Sequence, residues 1–565
     1  MKHFKFYNNQ KIVFLLFWVM LILPNLVMFF TEPTTALTRI IQIVLPLSFY
    51  GFALTFNKKP GVMFWWLFLF IFIDAFQIVL LHLFGESPIA VDMFLNVVTT
   101  NATEVNELLG NLIPAVLFVF VIYGGGIALS ICSIKNQSII ALKFRQSVRH
   151  ITLTGLLISG ILVVTNYSID KRFELLDDVF PVNGCYNLYL SFGRYADGAN
   201  YHNTSSGFTY SAYSTRPDSV PEVYVMVIGE TMRATNMGIY GYHRNTTPML
   251  NKMSSDLAIF SDALTMSNTT HKSVPMLMSP IASEQFDSLY TQRGILTAFK
   301  EAGFETSFYS NQRRNGSFID FLGSEANDAV FVKDSVSIVD NVSDSTLLVL
   351  LNKKIHNLKS KKLFVILHCY GSHFNYSDRY PEEYAFYKPC TVVSADKEYR
   401  NILINAYDNT VRYTDYLLWR ITKALEGIDA PSVMLYTSDH GEDIYDDYRN
   451  RFLHASPTPT FNQLRVPFLI WTSKQYQNKY PELWTTLQSN CKKPISTSLV
   501  AFHTLLDMGG INAKYFCPEH SLCNKSFTVT KRLYVTDHND YKPLDDVGLR
   551  QVDIQQFKQN NLRFP

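Results

Sequence analysis

Several acidic and imidazole residues in the second half of the chain fall just after short apolar runs. Glu230 follows Val223–Ile228, and Asp439 with His440 follows Val433–Tyr436 within LYTSDHGED. His373 follows Leu363–Leu367 within LHCYGSHFNY, and His454 lies in RFLHASPTP, shortly after the Asp-His pair. Carboxylates mixed with imidazoles suit zinc and similar metals, and three or four such ligands leave a position for substrate. A metal of that kind lowers the pKa of a bound hydroxyl and so activates a nucleophile. The segment TMSNTTHKSVP, Thr265–Pro275, offers Thr269, Thr270 and Ser273, and residue chemistry alone does not choose among them. A lone histidine or a hydroxyl-rich loop is ordinarily structural. The weight here comes from several such positions at the ends of apolar runs.

Those runs, together with Val466–Trp471, read as short buried strands. Helical patterns such as Asn401–Ala424 lie between them. Strands alternating with helices predict an α/β domain with a mostly parallel central sheet sandwiched by helices. In such sheets, sites gather at the carboxyl ends of strands. The domain is expected over residues 221–565. Ahead of it, residues 167–220 read as a connection. Its first part mixes apolar and charged residues, as an interfacial helix does. Its second part, Ala196–Val220, is rich in Ser, Thr, Tyr and Asn and reads as linker.

The first 166 residues are different in kind. Spanning a bilayer takes about 20 apolar residues in a helix. Ile12–Phe30, Ile40–Phe56, Gly61–Phe84, Leu112–Ile134 and Ile151–Thr165 meet or approach that length, so a bundle of five transmembrane helices is predicted (about 12–30, 38–56, 61–84, 112–134 and 150–166). The first reads as a membrane helix rather than a cleaved signal, because its apolar core is long and no small-x-small site follows. Basic residues cluster at Lys2, Lys5 and Lys11, at Lys58 and Lys59, and at Lys135, Lys143, Arg145 and Arg149. The loop 85–111 has acidic residues and no basic one. This alternation predicts a cytoplasmic N-terminus and an external face for everything after Thr165. Asp74, Gln77 and His82 lie within the third stretch, and Asp74 is expected to face the bundle interior and bond a neighbouring helix. A net charge of +2 gives no argument for nucleic acid, and no such partner is expected. Six of the seven cysteines follow the membrane stretches, where disulfides persist, and Cys517 and Cys523 are close enough in sequence to pair.

The ordered segments resemble the membrane-anchored phosphoethanolamine transferases of Gram-negative bacteria, within the alkaline phosphatase and sulfatase superfamily. VIGETMRATNMGIYGYHRNTTPML (Val227–Leu250), NTTHKSVPMLMS, HCYGSHFNYSDRYPEEY, NAYDNTVRYTDYLL (Asn405–Leu418), TSDHGED and NQLRVPFLIW occur in the family's order. The resemblance spans nearly the whole chain. It implies a multi-pass protein of the inner membrane with a periplasmic catalytic domain. In the family the attacking threonine stands five residues before a proline, which selects Thr270, ahead of Pro275. Carried over, Glu230, Thr270, Asp439 and His440 would hold a catalytic zinc. His373 and His454 would serve the substrate phosphate or a second, weaker zinc, with His368 assisting. Asn311 would contact substrate, and Arg313 or Arg314 would pair with phosphate. Asn96, Thr100 and Glu104 match the segment that holds the donor head group, with Glu104 facing the ammonium.

The implied reaction takes phosphoethanolamine from phosphatidylethanolamine and passes it to a lipopolysaccharide acceptor, a lipid A phosphate or a core sugar, through a phospho-threonine. A monomer among membrane lipids is expected. Two departures concern the acceptor. Met266 and Met276 stand where many lipid A-modifying members have cysteines, and the Asn311 segment is closer to members that modify core sugars. The rival readings are a glycerol-phosphate transferase resembling lipoteichoic acid synthases, and a non-catalytic relative that binds other envelope components.

Overall fold

A run of apolar residues without polar alternation has no side to offer to water, so the strands it forms must be covered on both faces. The computed structural model describes residues 9–85, 88–99, 112–281, 286–337, 341–356 and 362–564. It places such runs at the centre of a seven-stranded sheet. The strands are β1 (Glu222–Gly229), β2 (Leu257–Ile259), β3 (Glu305–Ser310), β4 (Asp328–Phe331), β5 (Lys362–His368), β6 (Ser432–Ser438) and β7 (Phe468–Thr472). Their order is β2-β7-β6-β1-β5-β3-β4. All neighbouring pairs are parallel except those of β7, which runs antiparallel to β6 and β2. In register, Val225 lies between Val365 and Met434. Every residue of β1, β5 and β6 is buried. The sequence reading found β1, β5, β6 and β7. It passed over β2, β3 and β4, which are short or, like ETSFYS in β3, mix polar residues into the run.

The described residues fall into two compact units, one built mainly from the chain up to Gly193 and the other mainly from Arg194 onward. The second contains the sheet. Its core also takes in Tyr201, Tyr210 and Ala212. Tyr213–Ser214 pairs with Ile511–Asn512. Much of the stretch expected to be linker is therefore packed. Its polar composition hides two tyrosines whose rings are buried while their hydroxyls donate to the carbonyls of Gln292 and Arg293.

In the first unit, α1 (Gln10–Thr31), α2 (Ala36–Leu54), α6 (Leu112–Lys135) and α7 (Leu142–Ile169) are long and apolar enough to cross a membrane. The third predicted span is not one helix. α3 (Pro60–Trp66) and α4 (Phe68–Phe84) meet at Leu67 with a bend of 68°. No glycine or proline marks the break, so hydropathy runs through it unchanged. The short helix α5 (Val91–Thr99) follows. The last span starts earlier than expected, because Lys143, Arg145 and Arg149 extend the helix; Arg149 bonds the hydroxyl and carbonyl of Thr55. α2 and α7 touch closely where Gly155 meets Ser48, so close that a Cβ there would lie 2.2 Å from the serine hydroxyl. Asp74 is fully buried and accepts a hydrogen bond from Tyr50 of α2 at 3.2 Å, as expected of a bundle-facing carboxyl. Gln77 accepts from the backbone of Ile89, and His82 is exposed.

Candidate functional site

The carboxyl ends of four adjacent strands, β6, β1, β5 and β3, deliver the polar residues of the site. Glu230 follows β1, Asp439 and His440 follow β6, His368 ends β5, and Asn311 and Gln312 follow β3. Helix α8 (Val182–Ala199) belongs to the connection, and the hydroxyl segment enters from outside the sheet as the start of helix α9 (Thr270–Leu277). Thr270 is its first residue, so the positive end of the helix lies at this hydroxyl.

Thr270 Oγ1 lies 3.1 Å from Glu230 Oε1 and 3.1 Å from His440 Nε2. His440 Nε2 is 3.2 Å from Asp439 Oδ2 and 3.5 Å from Glu230 Oε1. Its other nitrogen is fixed by the Gly441 carbonyl at 2.8 Å. Asp439 Oδ1 accepts from the backbone of Thr231 at 3.1 Å and of His440 at 2.7 Å. The two other hydroxyls of the segment are committed locally: Ser273 donates to the Thr269 carbonyl, and Thr269 pairs with Ser267. Of the three open possibilities, Thr270 is the one seen bonded to both the acid and the imidazole.

Helix α10 (Arg400–Glu426) holds these loops in place. Tyr407 accepts from the backbone of Arg233 and donates to the carbonyl of Thr231. Thr410 shares a hydrogen bond with Ser372. Thr231 has φ +55°, a conformation a β-branched residue rarely adopts, at a cost on the order of 1–3 kcal/mol. Asp439 on one side and Tyr407 on the other hold it there. Gly371, at φ +53°, passes so close to Glu230 that a Cβ would lie 2.7 Å from its backbone nitrogen. Only glycine fits at that crossing.

Burial sets the electrostatics. It raises the Glu230 carboxyl well above its ordinary range, with the neighbouring Asp439 adding to the effect. It pushes the imidazoles of His368, His440 and His454 down to about 4. Neutral imidazoles are the form that donates a lone pair to a metal. Asp439 Oδ2 is buried without a hydrogen-bond donor. Glu230, His440 and His454 each offer one ligand atom, all within 4.8 Å of one another. Two carboxylates and two imidazoles around an unsatisfied carboxylate oxygen fit a zinc-type ion. Asp439 Oδ2, 3.2 Å from His440 Nε2, lies beside these three as a fourth candidate donor.

Other expected residues fall as follows. The rings of His373 and His454 are 6.1 Å apart, and those of His440 and His454 are 4.2 Å apart. His373 bonds the Phe374 carbonyl and stacks on Tyr370; burial and the cation of Arg379 lower its pKa well below the usual range. His368 meets Ser310 through Nδ1, and its buried Nε2 has no partner. The amide nitrogen of Asn311 is spent on the Val342 carbonyl and on Asp344 rather than held for substrate. Arg313 donates to the Val336 carbonyl, and Arg314 lies over Phe331 near Asp334. Neither shows a contact to the cluster. Asn96 lies on α5, with its side chain outside the described residues, as are Thr100 and Glu104. Cys517 and Cys523 both carry free thiols: Cys517 bonds Glu519 and Cys523 bonds Ser521, so neighbouring polar groups take up the sulfurs. Met266 and Met276 pack in one apolar cluster, filling the positions that flank the hydroxyl segment with bulk.

Two residues escaped the sequence reading. Gln312 donates to Glu230 Oε2 at 3.1 Å, and Glu442 accepts from His454 Nδ1 at 3.1 Å. Both sit one or two positions from residues that were named. A polar side chain beside a recognised ligand was the only signal available for them.

Fold and site together define an alkaline-phosphatase-type α/β domain with an acid, imidazole and hydroxyl cluster, preceded by apolar helices. The sulfatase family matches residues 222–511, which include the whole cluster, and the chain belongs to that family. The chain is 30% identical over 296 residues to the Kdo(2)-lipid A phosphoethanolamine 7''-transferase of Salmonella typhimurium, covering 50% of this chain and 49% of that protein. It thus spans about half the length of the curated relatives it matches. It shares its fold with the integral membrane lipooligosaccharide phosphoethanolamine transferase A of Neisseria meningitidis, with TM-score 0.71, 20% identity, and 90% of this chain and 98% of that one covered. A zinc complex of the C-terminal periplasmic domain of EptC from Escherichia coli is similar at TM-score 0.54 and 24% identity, over 61% of this chain and 97% of that one.

Proposed function

We propose that this chain is a phosphoethanolamine transferase of a bacterial inner membrane. It moves the group from phosphatidylethanolamine to an envelope glycolipid, a lipid A phosphate or a core sugar, by way of a phospho-threonine at Thr270. The observation that carries this reading is the placement of Thr270 Oγ1 at hydrogen-bond distance from both Glu230 and His440, at a helix N-terminus. The name of a relative supports phosphoethanolamine as the group moved and lipid A as an acceptor, and the donor lipid comes from the family resemblance of the sequence. Glu230, Asp439, His440 and Thr270 would hold a zinc ion. Bound there, zinc would lower the pKa of the Thr270 hydroxyl and offset charge on the phosphoryl oxygens.

The residues then divide the work. Glu230 and His440 orient the Thr270 oxygen, whose hydroxyl proton passes to water as it attacks phosphorus: the Oγ–P bond forms and the bond to the diacylglycerol oxygen breaks. His373 or His454 supplies the proton that lets diacylglycerol leave as an alcohol. An acceptor hydroxyl or phosphate oxygen next attacks the same phosphorus, the Oγ–P bond breaks, and Thr270 is restored. Asn96, Thr100 and Glu104 would hold the donor head group, with Glu104 paired to its ammonium. All these groups come from one chain, so a monomer is expected. The catalytic unit would face the periplasm and the N-terminus the cytoplasm, and a donor lipid in the outer leaflet explains the membrane helices.

Mass spectrometry of envelope glycolipids tests the reading. Cells with the gene should show acceptors carrying phosphoethanolamine, and cells with Thr270→Ala should not. A glycerol-phosphate increment would transfer the chain to the rival class. No added mass in wild type would end the proposal.

A further inference from the structure

We infer that Glu442 is a positioning residue of the cluster: with Tyr376, it fixes the ring of His454 so that this imidazole joins Glu230 and His440 as a donor to one ion. The inference rests on reading the cluster as a metal site, and of the two imidazoles offered as proton donor to the leaving alcohol it leaves that role to His373.

The chain reaches this arrangement through a small hairpin. Asp443–Ile444 pairs antiparallel with Phe452–Leu453, with Leu453 opposite Asp443. The hairpin folds the chain back on itself, so that His454, fourteen positions after His440, returns to lie beside it, the rings tilted by 40° with centroids 4.2 Å apart. The backbone on either side of His454 is turned to suit. Leu453 has φ +68° and Ala455 has φ +65°, and both are non-glycine residues in the left-handed region. Two such residues flanking one side chain hold it in a direction that relaxed backbone would not give, and strain of this kind gathers at ligand-binding positions.

The side-chain contacts complete the constraint. Glu442 is fully buried, and both its oxygens are used: Oε1 accepts from the Tyr376 hydroxyl, and Oε2 accepts from His454 Nδ1 at 3.1 Å. Tyr376 cannot swing away, because Phe374, Tyr407 and Phe452 pack around its ring. An imidazole that gives its Nδ1 hydrogen to a carboxylate carries its lone pair on Nε2, and this outer contact raises its strength as a ligand. His454 thereby falls into the group whose donor atoms lie within 4.8 Å of one another.

The test is a double-mutant cycle on the full-length protein in detergent, titrating zinc against a competing chelator. Glu442→Gln is expected to weaken zinc about 10- to 100-fold. His454→Ala should weaken it at least as much, and the double variant no further than His454→Ala alone. Tyr376→Phe should give a smaller loss that likewise vanishes on the His454→Ala background. If Glu442→Gln does not fold, as judged by its melting curve, the Tyr376→Phe cycle decides. Losses that simply add would overturn the inference, because Glu442 would then act without His454. Zinc bound equally by wild type and Glu442→Gln would also overturn it. A wild-type protein that takes up no zinc at all would instead sink the metal reading beneath it.

Discussion

The strand-end cluster and the inner face of α10 are both rich in buried polar groups, but they satisfy those groups differently. On α10, Asp408 accepts from Asn236 at 2.7 Å, from Tyr242 at 3.0 Å and from Arg244 at 2.9 Å. Asp415 accepts from the backbone of Met249 and Leu250, at the start of the helix Pro248–Lys252. Neither carboxylate has an oxygen left over. At the strand ends, Asp439 Oδ2 and His368 Nε2 are just as buried and have no hydrogen-bond partner. A buried polar atom without a partner costs about 1–3 kcal/mol. The two α10 carboxylates are saturated, while two polar atoms at the strand ends are left short, as they would be beside a ligand. The same contrast separates what is scaffold from what is chemistry among motifs that look equally distinctive in sequence.

The contrast can be broken from either side. Thr270→Ala should lower transfer at least about a thousandfold, the scale on which catalytic nucleophiles act. The melting temperature should change little, since no other element depends on that hydroxyl. Transfer at the wild-type rate would remove Thr270 from the reaction. Asp408→Ala strikes the saturated face and strands three donors at once. Denaturant unfolding should show a loss of about 3 kcal/mol, while zinc affinity of the folded protein stays the same. A loss of zinc without a loss of stability would erase the distinction between the two regions.

Asp415 gives the comparison a pH axis. Burial pushes its carboxyl up to about 6, against the help of the two backbone donors. The folded protein therefore holds this proton more tightly than the unfolded chain. The stability gained is full below about pH 4 and is lost as pH rises through about 6, a swing of up to about 3 kcal/mol. Asp415→Asn cannot titrate, so its stability measured against pH should lack that part of the slope. Parallel curves for the two proteins between pH 4 and 7 would refute the assignment.

Much of this was legible in sequence, for reasons that differ by residue. Glu230, Asp439 and His440 stood out because each follows an uninterrupted apolar run, and such runs become central strands whose carboxyl ends converge. Thr270 could not be told from Thr269 and Ser273 by chemistry. The family's spacing to Pro275 pointed to Thr270, and its hydrogen bonds to Glu230 and His440 set it apart in the structure. The bend at Leu67 was invisible because hydropathy does not register a change of direction. Tyr201 and Tyr210 were hidden in polar surroundings, because burial of an isolated aromatic depends on what packs against it. Asn405–Leu418 and Gly241–Pro248 carried much of the family resemblance, yet Asp408 and Arg244 within them pair with each other. The motifs that identified the class are its framework more than its chemistry.

Gln312 tests the finest form of the comparison, because it lies on the boundary between the two kinds of group. Its amide donates to Glu230 Oε2 at 3.1 Å and to the Cys369 carbonyl at 3.3 Å, and so ties a strand-end acid to the end of β5. Glu230 keeps Oε1 toward Thr270 while Gln312 holds the other oxygen. Gln312→Ala should therefore loosen Glu230 without emptying the site, weakening zinc about tenfold with little change in unfolding free energy. Gln312→Glu should do worse, since it replaces a donor to the carboxylate with a like charge. If chelator competition gave both variants the wild-type affinity, the backbone alone would be holding Glu230, and Gln312 would belong with the saturated scaffold.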